Sequence, residues 1–417
     1  MNFNVIIVGG GAAGFFNAIN MAKMCPDLSI AILERGGEFL SKVRISGGGR
    51  CNVTHAEFIP KPLTEHYPRG EKELLGPFHK FMTGDVMQWF EDRGVDLKIE
   101  EDNRIFPVSD SSETIIDCFL AEAKKYNINL FTKTAIAEIE RNEDRWFLKS
   151  KTEHFICDDL VICTGSNPKM WKLLEQLGHK TIAPVPSLFT FNIKDNRIMG
   201  LPGVATQGSI KLLDLNGDAL QIPGANGDES SGPILITHWG ISGPAVLKLS
   251  AIAARVLHAM EYNFLAQVNW LDHFSFNEAV EIMKDFKLAS AKQTVIKRNP
   301  FDLPKRLWNN LVLSSQVSEN VIWADINKQQ IEHIAQSLTQ CTFRVSGKST
   351  FKDEFTTAGG VDLTEVDFTT FASKICPDLY LAGEVLNIDA VTGGFNFQNA
   401  WTGGYLAAEA IAKKYNA

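Results

Sequence analysis

The chain has 417 residues, 45% of them hydrophobic and 22% charged, the make-up of a globular protein too long for one ordinary core and built of two or three domains. A formal charge of −8 and the lack of a basic run speak against a nucleic-acid partner, which calls for a basic face. The seven cysteines are odd in number, scattered and without a C-x-x-C, so neither a disulfide framework nor a zinc site is expected. No apolar run approaches the roughly 20 residues that span a bilayer, and the chain opens into a strand without a basic leader, so a cytoplasmic protein without a membrane partner is expected.

Asn4 to Gly14 (N-V-I-I-V-G-G-G-A-A-G) is an apolar, β-branched run that breaks into glycines opening a helix. Gly9, Gly11 and Gly14 fit G-x-G-x-x-G: the first allows the tight turn, the second lets backbone approach a pyrophosphate, and the third lets helix pack on strand. The helix then aims its unpaired N–H groups at the anion. Leu28 to Leu33 reads as a second strand ending in Glu34, whose place after the glycines suits a carboxylate that holds a ribose diol and repels a 2′-phosphate. The reading is an adenine dinucleotide site.

Ser41 to Asn52 (S-K-V-R-I-S-G-G-G-R-C-N) is a second glycine cluster, with Lys42, Arg44 and Arg50 beside it. Three adjacent glycines suit a loop that passes close to a ligand, with the cations facing phosphate or a flavin edge. Cys51 has no partner cysteine and is assigned to packing.

Further along, Thr83 to Gly94 reads as a short capped helix. Asp110 with Glu113 makes a capping-box-like start for a helix with Ile115, Ile116, Phe119, Leu120 and Ala123 on one face. Asn129 to Ile139 reads as one strand, with Ile136 where the chain passes the adenine, and 146–151 with 153–157 as a hairpin. Leu160 to Cys163 reads as a buried strand whose end, Thr164-Gly165, is a second backbone approach to the ligand.

From Ser187 the pattern alternates and a β-rich insert begins. Within it, Ile234 to Ser250 runs from a strand through His238 to a helix, with Ser242 as cap and Pro244 in the first turn. His238, titrating near neutral pH, is the candidate proton relay. Phe276 to Leu338 is helical, capped at Asn327 in its last part, and the run K-R-N-P-F-D-L-P-K-R inside it reads as a solvated linker without a ligand. The tail returns to the opening theme: Thr357 to Val361, a strand Leu379 to Leu381 into Gly383-Glu384, then Gly393-Gly394 opening a final helix. Such a helix start stabilises negative charge, and Glu384 can hold hydroxyls of a ribityl chain.

With S-G-G-G-R-C-N at 46–52, T-H-W-G-I-S-G-P at 237–244 and T-G-G-F-N-F-Q-N-A-W at 392–401, the whole chain resembles the BaiN-type (aminoacetone-oxidase-like) bacterial FAD-dependent oxidoreductases. The resemblance implies an α/β fold: a glutathione-reductase-like split Rossmann FAD-binding domain, interrupted by an inserted β-barrel and a small helical module. The parts expected are 1–186 and 357–417 for FAD, 187–274 for the barrel, 275–340 for the helical module and 341–356 for its return strand. Noncovalent FAD is the implied cofactor. Its expected contacts are Gly9, Gly11, Ala12, Ala13, Gly14, Glu34, Arg35, Lys42, Ser46, Gly47, Gly48, Gly49, Arg50, Asn52, Ile136, Thr164, Gly165, Gly383, Glu384, Gly393, Gly394, Phe395, Asn396 and Phe397.

Ser41, Asn387 and Ala390 depart from the family pattern, which has glycine, aspartate and glycine there. No second G-x-G-x-x-G is present, so NAD(P)H is expected only as a transient electron donor. Two functions are compatible with this reading. One is an enzyme passing a hydride between a small-molecule substrate and FAD, with NAD(P)H or dioxygen as the other partner. The other is a flavin-binding redox sensor or accessory protein without turnover of its own.

Overall fold

The computed structural model describes residues 1–223, 228–349 and 356–416, and the chain divides into two compact units, residues 1–185 with 352–417 and residues 186–351. The first unit is built on a sheet whose centre is parallel. Strand β1 (Asn2–Val8) lies between β2 (Ile30–Leu33) and β3 (His154–Ile162), and β4 (Leu379–Leu381) flanks β3. Central parallel strands are covered on both faces, which is why β1 from Val5 onward, β2 and β4 are buried without alternation.

Helix α1 (Ala12–Met24) connects β1 to β2, and the last helix, α2 (Phe395–Tyr415), packs against it. They approach closely because Gly404 lacks a side chain: a Cβ there would lie 2.8 Å from the Ala13 carbonyl. Asn17 Nδ2 donates to the Gly404 carbonyl at 3.0 Å and seals the crossing.

Several local expectations change. The helix expected from Asp110 is capped by Ser111, whose hydroxyl accepts from Glu113 N–H, while Asp110 stands in the left-handed region at φ 53°. The single strand expected over 129–139 is two, Asn129–Phe131 and Glu138–Asn142, with Ile136 in the connection. Conversely, the separate strands at 153–157 and 160–163 are one continuous β3. Its interrupting carboxylates are accommodated by cations: Asp158 accepts from Arg145 at 2.9 Å, and the fully buried Asp159 from Lys414 near the end of α2, also at 2.9 Å.

The second unit holds a closed, antiparallel six-stranded barrel. Thr190–Ile193 pairs with Gly240–Ser242, then follow Glu229–Ile236, Ala205–Leu213, Asn263–Asn269 and Cys341–Ser349, which returns to the first strand. The inward set includes Phe191, Ile210, Leu212, Ile234, Phe264, Val268 and Phe343, all fully buried, and closure leaves no open sheet edge. Helices Phe276–Ala289, Lys305–Ser314 and Lys328–Thr339 extend the same core. The first and third begin in capping boxes, Ser275 with Glu278 and Asn327 with Gln330. Phe301 and Leu303 of the expected solvated linker belong to this core. Of the expected return segment 341–356, residues 350–355 lie outside the described residues.

Among the described residues no helix is long and apolar enough to cross a membrane, and no cluster of His, Cys, Asp and Glu is placed to hold a metal.

Candidate functional site

The site is laid out around the first turn. Gly9 N–H donates to the Leu33 carbonyl at 2.8 Å, Cys163 N–H donates to the Val8 carbonyl at 2.8 Å, and the chain turns at Gly9 with φ 114°. A Cβ on Gly9 would lie 2.3 Å from the Cys163 carbonyl oxygen, and one on Gly14 would lie 2.1 Å from the Gly9 carbonyl oxygen. Those two glycines are therefore demanded by the packing of turn, strand and helix. Gly11 differs: a Cβ there would meet nothing within 4 Å, so its bareness serves the space in front of the turn. That space lies at the start of α1, whose N-cap is Gly11 and whose first turn has neither a capping side chain nor an acid. The leading N–H groups of such a helix have no intrahelical acceptor and suit an anion.

Glu34 is fixed over this turn, with Oε2 accepting from Gly10 N–H at 2.9 Å and Oε1 from Gly36 N–H at 2.6 Å. Each carboxylate oxygen has a further lone pair to offer a hydroxyl. The Glu34 carbonyl accepts from Thr134 N–H at 2.8 Å, which brings the half-buried Ile136 to the same end of the sheet. Arg35 is exposed there.

In the second glycine cluster, a helical turn starting at Ser41 breaks at Ser46 (ψ 149°), and Gly47, Gly48 and Gly49 follow in the left-handed region at φ 58°, 69° and 85°. Gly47 is crowded, since a Cβ would lie 2.9 Å from the Phe106 ring, whereas Gly48 and Gly49 face open space. Lys42 Nζ donates to Glu384 at 2.5 Å. Arg44 is paired with Glu113. Arg50, an expected contact, is engaged within the chain: its guanidinium donates to Glu100 at 2.6 Å and Asp110 at 3.3 Å and lies over the Phe106 ring. The Glu100 hydrogen bond, with Asp110 beside it, holds its pKa above the ordinary arginine value. Cys51 is fully buried, and burial pushes its thiol up to about 12, which fits a packing role and not a thiolate one.

The C-terminal segment closes the arrangement. Gly383, at φ 78°, is placed so that a Cβ would sit 3.3 Å from Ala13 Cβ, and a Cβ on Gly165 would sit 3.4 Å from Glu384 Oε2. Ala13, Gly165, Lys42, Gly383 and Glu384 are thus neighbours. Gly394 caps α2 without a side chain, and a Cβ on it would lie 2.7 Å from the Thr54 carbonyl and 2.9 Å from Asn52 Oδ1. Asn396 clasps Ala390, accepting from its N–H at 3.0 Å and donating to its carbonyl at 3.3 Å, and Phe397 stacks on Trp401.

Sequence reasoning missed the rings beside this helix start. His66 stacks on Phe395 with centroids 4.0 Å apart, His55 Nδ1 lies 3.1 Å from the Gly393 carbonyl oxygen, and Tyr67 donates to the Phe395 carbonyl at 2.6 Å. Burial lowers the His55 pKa. No periodicity or motif links residues 55 and 66 to 395.

These residues fit an adenine dinucleotide. The cradle at Gly11 is open, Glu34 is held with lone pairs to spare, and two expected contacts, Thr164 Oγ1 and Asn52 Oδ1, are buried polar atoms with no hydrogen-bond partner among the described residues. Buried polar atoms are ordinarily satisfied, so a polar ligand at this place accounts for both.

His238 belongs to the other unit. It is exposed, at the tip of the turn joining Glu229–Ile236 to Gly240–Ser242. The expected cap at Ser242 is not made: the helix Pro244–Ile252 has Gly243 at its N-cap, without a side-chain bond. The Ser242 hydroxyl instead accepts from Thr190 Oγ1 at 3.0 Å, because Ser242 is still in its strand.

Known proteins are similar to this chain along nearly its whole length. A ribosomal RNA dihydrouridine synthase of Haemophilus influenzae is 26% identical over 98% of both chains, and the Escherichia coli enzyme of that name is 26% identical over 98% of this chain and 97% of its own. A 3-dehydro-bile acid delta(4,6)-reductase of Clostridium scindens is 25% identical over 98% of both chains. Among solved structures, 3-ketosteroid-delta4-(5alpha)-dehydrogenase from Rhodococcus jostii shares the fold with a TM-score of 0.51 at 11% identity, covering 99% of this chain and 97% of its own. The model of the HI0933-like protein Rossmann domain matches residues 3–410, nearly the whole chain, and the protein is therefore a member of the HI0933-like family.

Proposed function

We propose that the protein is an FAD-dependent oxidoreductase that saturates a carbon–carbon double bond conjugated to a carbonyl in a ring substrate, with NAD(P)H as the transient donor. The open Gly11 cradle, with Glu34 clamped above it, carries the cofactor part of this reading. The direction of the chemistry rests on the full-length relatives, since making dihydrouridine and reducing a delta(4,6) bile acid are both saturations of a ring double bond. Bound FAD would supply the hydride-carrying centre.

The chain's own residues bind and orient. The leading N–H groups of α1 take the pyrophosphate, Glu34 the ribose hydroxyls, and the α2 start at Gly394 faces negative charge. Glu384, already held by Lys42, takes hydroxyls of the ribityl chain. Net turnover consumes one NAD(P)H and one proton and adds two hydrogens across the double bond. With a single dinucleotide turn in the sequence, the nicotinamide visits and leaves.

The test is anaerobic mixing of yellow holoprotein with NADH or NADPH, then with cyclic enones or uridine-containing RNA. Bleaching by the nicotinamide and return of colour with a conjugated substrate is expected. A protein that takes up no FAD, or a bleached flavin that only dioxygen restores, overturns the proposal.

A further inference from the structure

We propose that the barrel-bearing unit carries a binding track for single-stranded RNA, with Trp239 as its base-stacking plate. The choice of RNA rests on the reading above, since a uracil ring is a carbonyl-conjugated double bond. The track itself lies within residues 186–351.

Trp239 is 57% exposed at the tip of the T-H-W-G turn. A single exposed hydrophobe is ordinary, but this one stands on a fixed backbone. Thr237 N–H donates to the Gly240 carbonyl at 2.8 Å, and Ile193 N–H donates to the Trp239 carbonyl at 2.8 Å. Thr237 Oγ1 accepts from the N–H groups of Trp239 and Gly240, each at 3.2 Å. Gly240, at φ 151°, has no room for a Cβ, which would lie 2.1 Å from the Phe191 carbonyl oxygen. A rigid turn that holds an indole in water is a preorganised stacking surface.

Cations continue from that turn along one line of contacts. Beside Ile193 is Lys194, exposed. The loop that follows reaches the exposed Met199 and Gly200, whose carbonyls accept from Asn310 and Arg306 of the helix Lys305–Ser314. At that helix start Lys305 is exposed, and Trp308 Nε1 donates to the Val295 carbonyl at 3.0 Å, which seats the exposed Lys297 and Arg298 alongside. Lys292 precedes them.

Among the described residues, Lys194, Lys292, Lys297, Arg298 and Lys305 have no carboxylate within ion-pairing distance; none takes part in the ion pairs of this unit, such as that of Arg197 with Asp195. The carboxylates nearby are Asp302, exposed within the run, Asp195, committed to Arg197 at 2.8 Å, Asp325, next to Ala324, whose N–H donates to the Ala291 carbonyl, and Glu319, exposed in the turn that ends at Val321, whose carbonyl accepts from Val295 N–H. The chain's net charge of −8 hides this, because cations and carboxylates nearly balance within residues 186–351 and the acidic excess lies in the other unit. Cations without a carboxylate partner and a fixed aromatic plate are the two elements that single-stranded nucleic acid requires, one for the backbone and one for the base.

The test titrates holoprotein with a fluorescent, unstructured, uridine-rich oligoribonucleotide at several salt concentrations. Affinity is expected to fall as salt rises. The variant K297E/R298E/K305E should bind more than tenfold more weakly and flatten the log–log salt dependence by about two, at roughly 0.7 per phosphate contact on a single strand. Trp239→Ala should weaken binding about tenfold at an unchanged salt slope, with Trp239→Phe restoring most of it. Retained flavin absorbance and circular dichroism confirm that the variants are folded. Absent binding, or binding indifferent to both sets of changes, overturns the inference. If cyclic enones recolour the reduced flavin while the oligonucleotide does not bind, the track is refuted and the reductase stands; if the oligonucleotide binds as described but the flavin never turns over, the reverse holds.

Discussion

The two glycine clusters of the first unit look alike in sequence and work differently. In the 9–14 turn, Gly9 and Gly14 are bare because backbone oxygens lie within 2.3 Å of where their Cβ atoms would be, and only Gly11 faces open space. In the 47–49 cluster the emphasis is reversed: all three residues are left-handed, while only Gly47 is crowded and Gly48 and Gly49 have room. The first cluster excludes side chains for packing at Gly9 and Gly14 and keeps the space at Gly11 open. The second requires glycine for the path of the backbone.

The sharpest way to break that comparison is Gly14→Ala. Its Cβ would meet a carbonyl oxygen that belongs to the turn itself and cannot rotate away, so α1 must lift off β1, at a cost of about 3 kcal/mol or more. A fall in the denaturation midpoint of the cofactor-free protein is the expected result, and an unchanged midpoint would mean that the turn has slack. Gly11→Ala should separate ligand from fold: stability within about 0.5 kcal/mol of wild type, but FAD affinity down about a hundredfold, near 2.7 kcal/mol. Equal FAD affinity in a titration of apoprotein would remove Gly11 from the binding site.

The first cluster was legible because its three demands recur at a fixed spacing and are flanked by apolar strands. Leu379 to Leu381 was read to the residue for a similar reason, an apolar run between turn residues. What escaped depends on partners far away in the chain. Asp158 and Asp159 appear to end a strand until Lys414, 255 residues on, neutralises Asp159. Ser242 has the composition of a cap, yet barrel pairing with Leu235 keeps it extended and passes the cap position to Gly243. His55 and His66 carry no local signal at all, because the Phe395 ring that both pack against arrives with the C-terminal helix. The net charge of −8 is a sum over two units of unlike composition, and carries no information on how charge is placed in either.

Glu34→Gln is the next test in size, and it keeps the shape while removing the charge. One amide oxygen can still accept from Gly10 or Gly36, but the amide nitrogen turns a donor toward the other N–H. FAD affinity should drop by about 1–3 kcal/mol, the range for a hydrogen bond to a charged group, with the fold retained. Full affinity in the variant would show that the carboxylate serves the turn and not the ribose.

The smallest effect belongs to Gly48→Ala, and it completes the comparison. At φ 69° an alanine is in a left-handed well that costs an L-residue about 1–2 kcal/mol. Part of that is offset by the lower entropy of the unfolded alanine chain, roughly 0.4–1 kcal/mol. No atom lies within 4 Å of the new methyl, so no packing cost is added and the net loss should be about 1 kcal/mol. Gly48→Asn should lose less, because asparagine tolerates the left-handed region that alanine resists. A thermal melt that ranks Gly48→Asn above Gly48→Ala, and both above Gly14→Ala, is what a conformational requirement predicts. If Gly48→Ala proved as damaging as Gly14→Ala, the second cluster would be sterically closed like the first, and the distinction between them would fail.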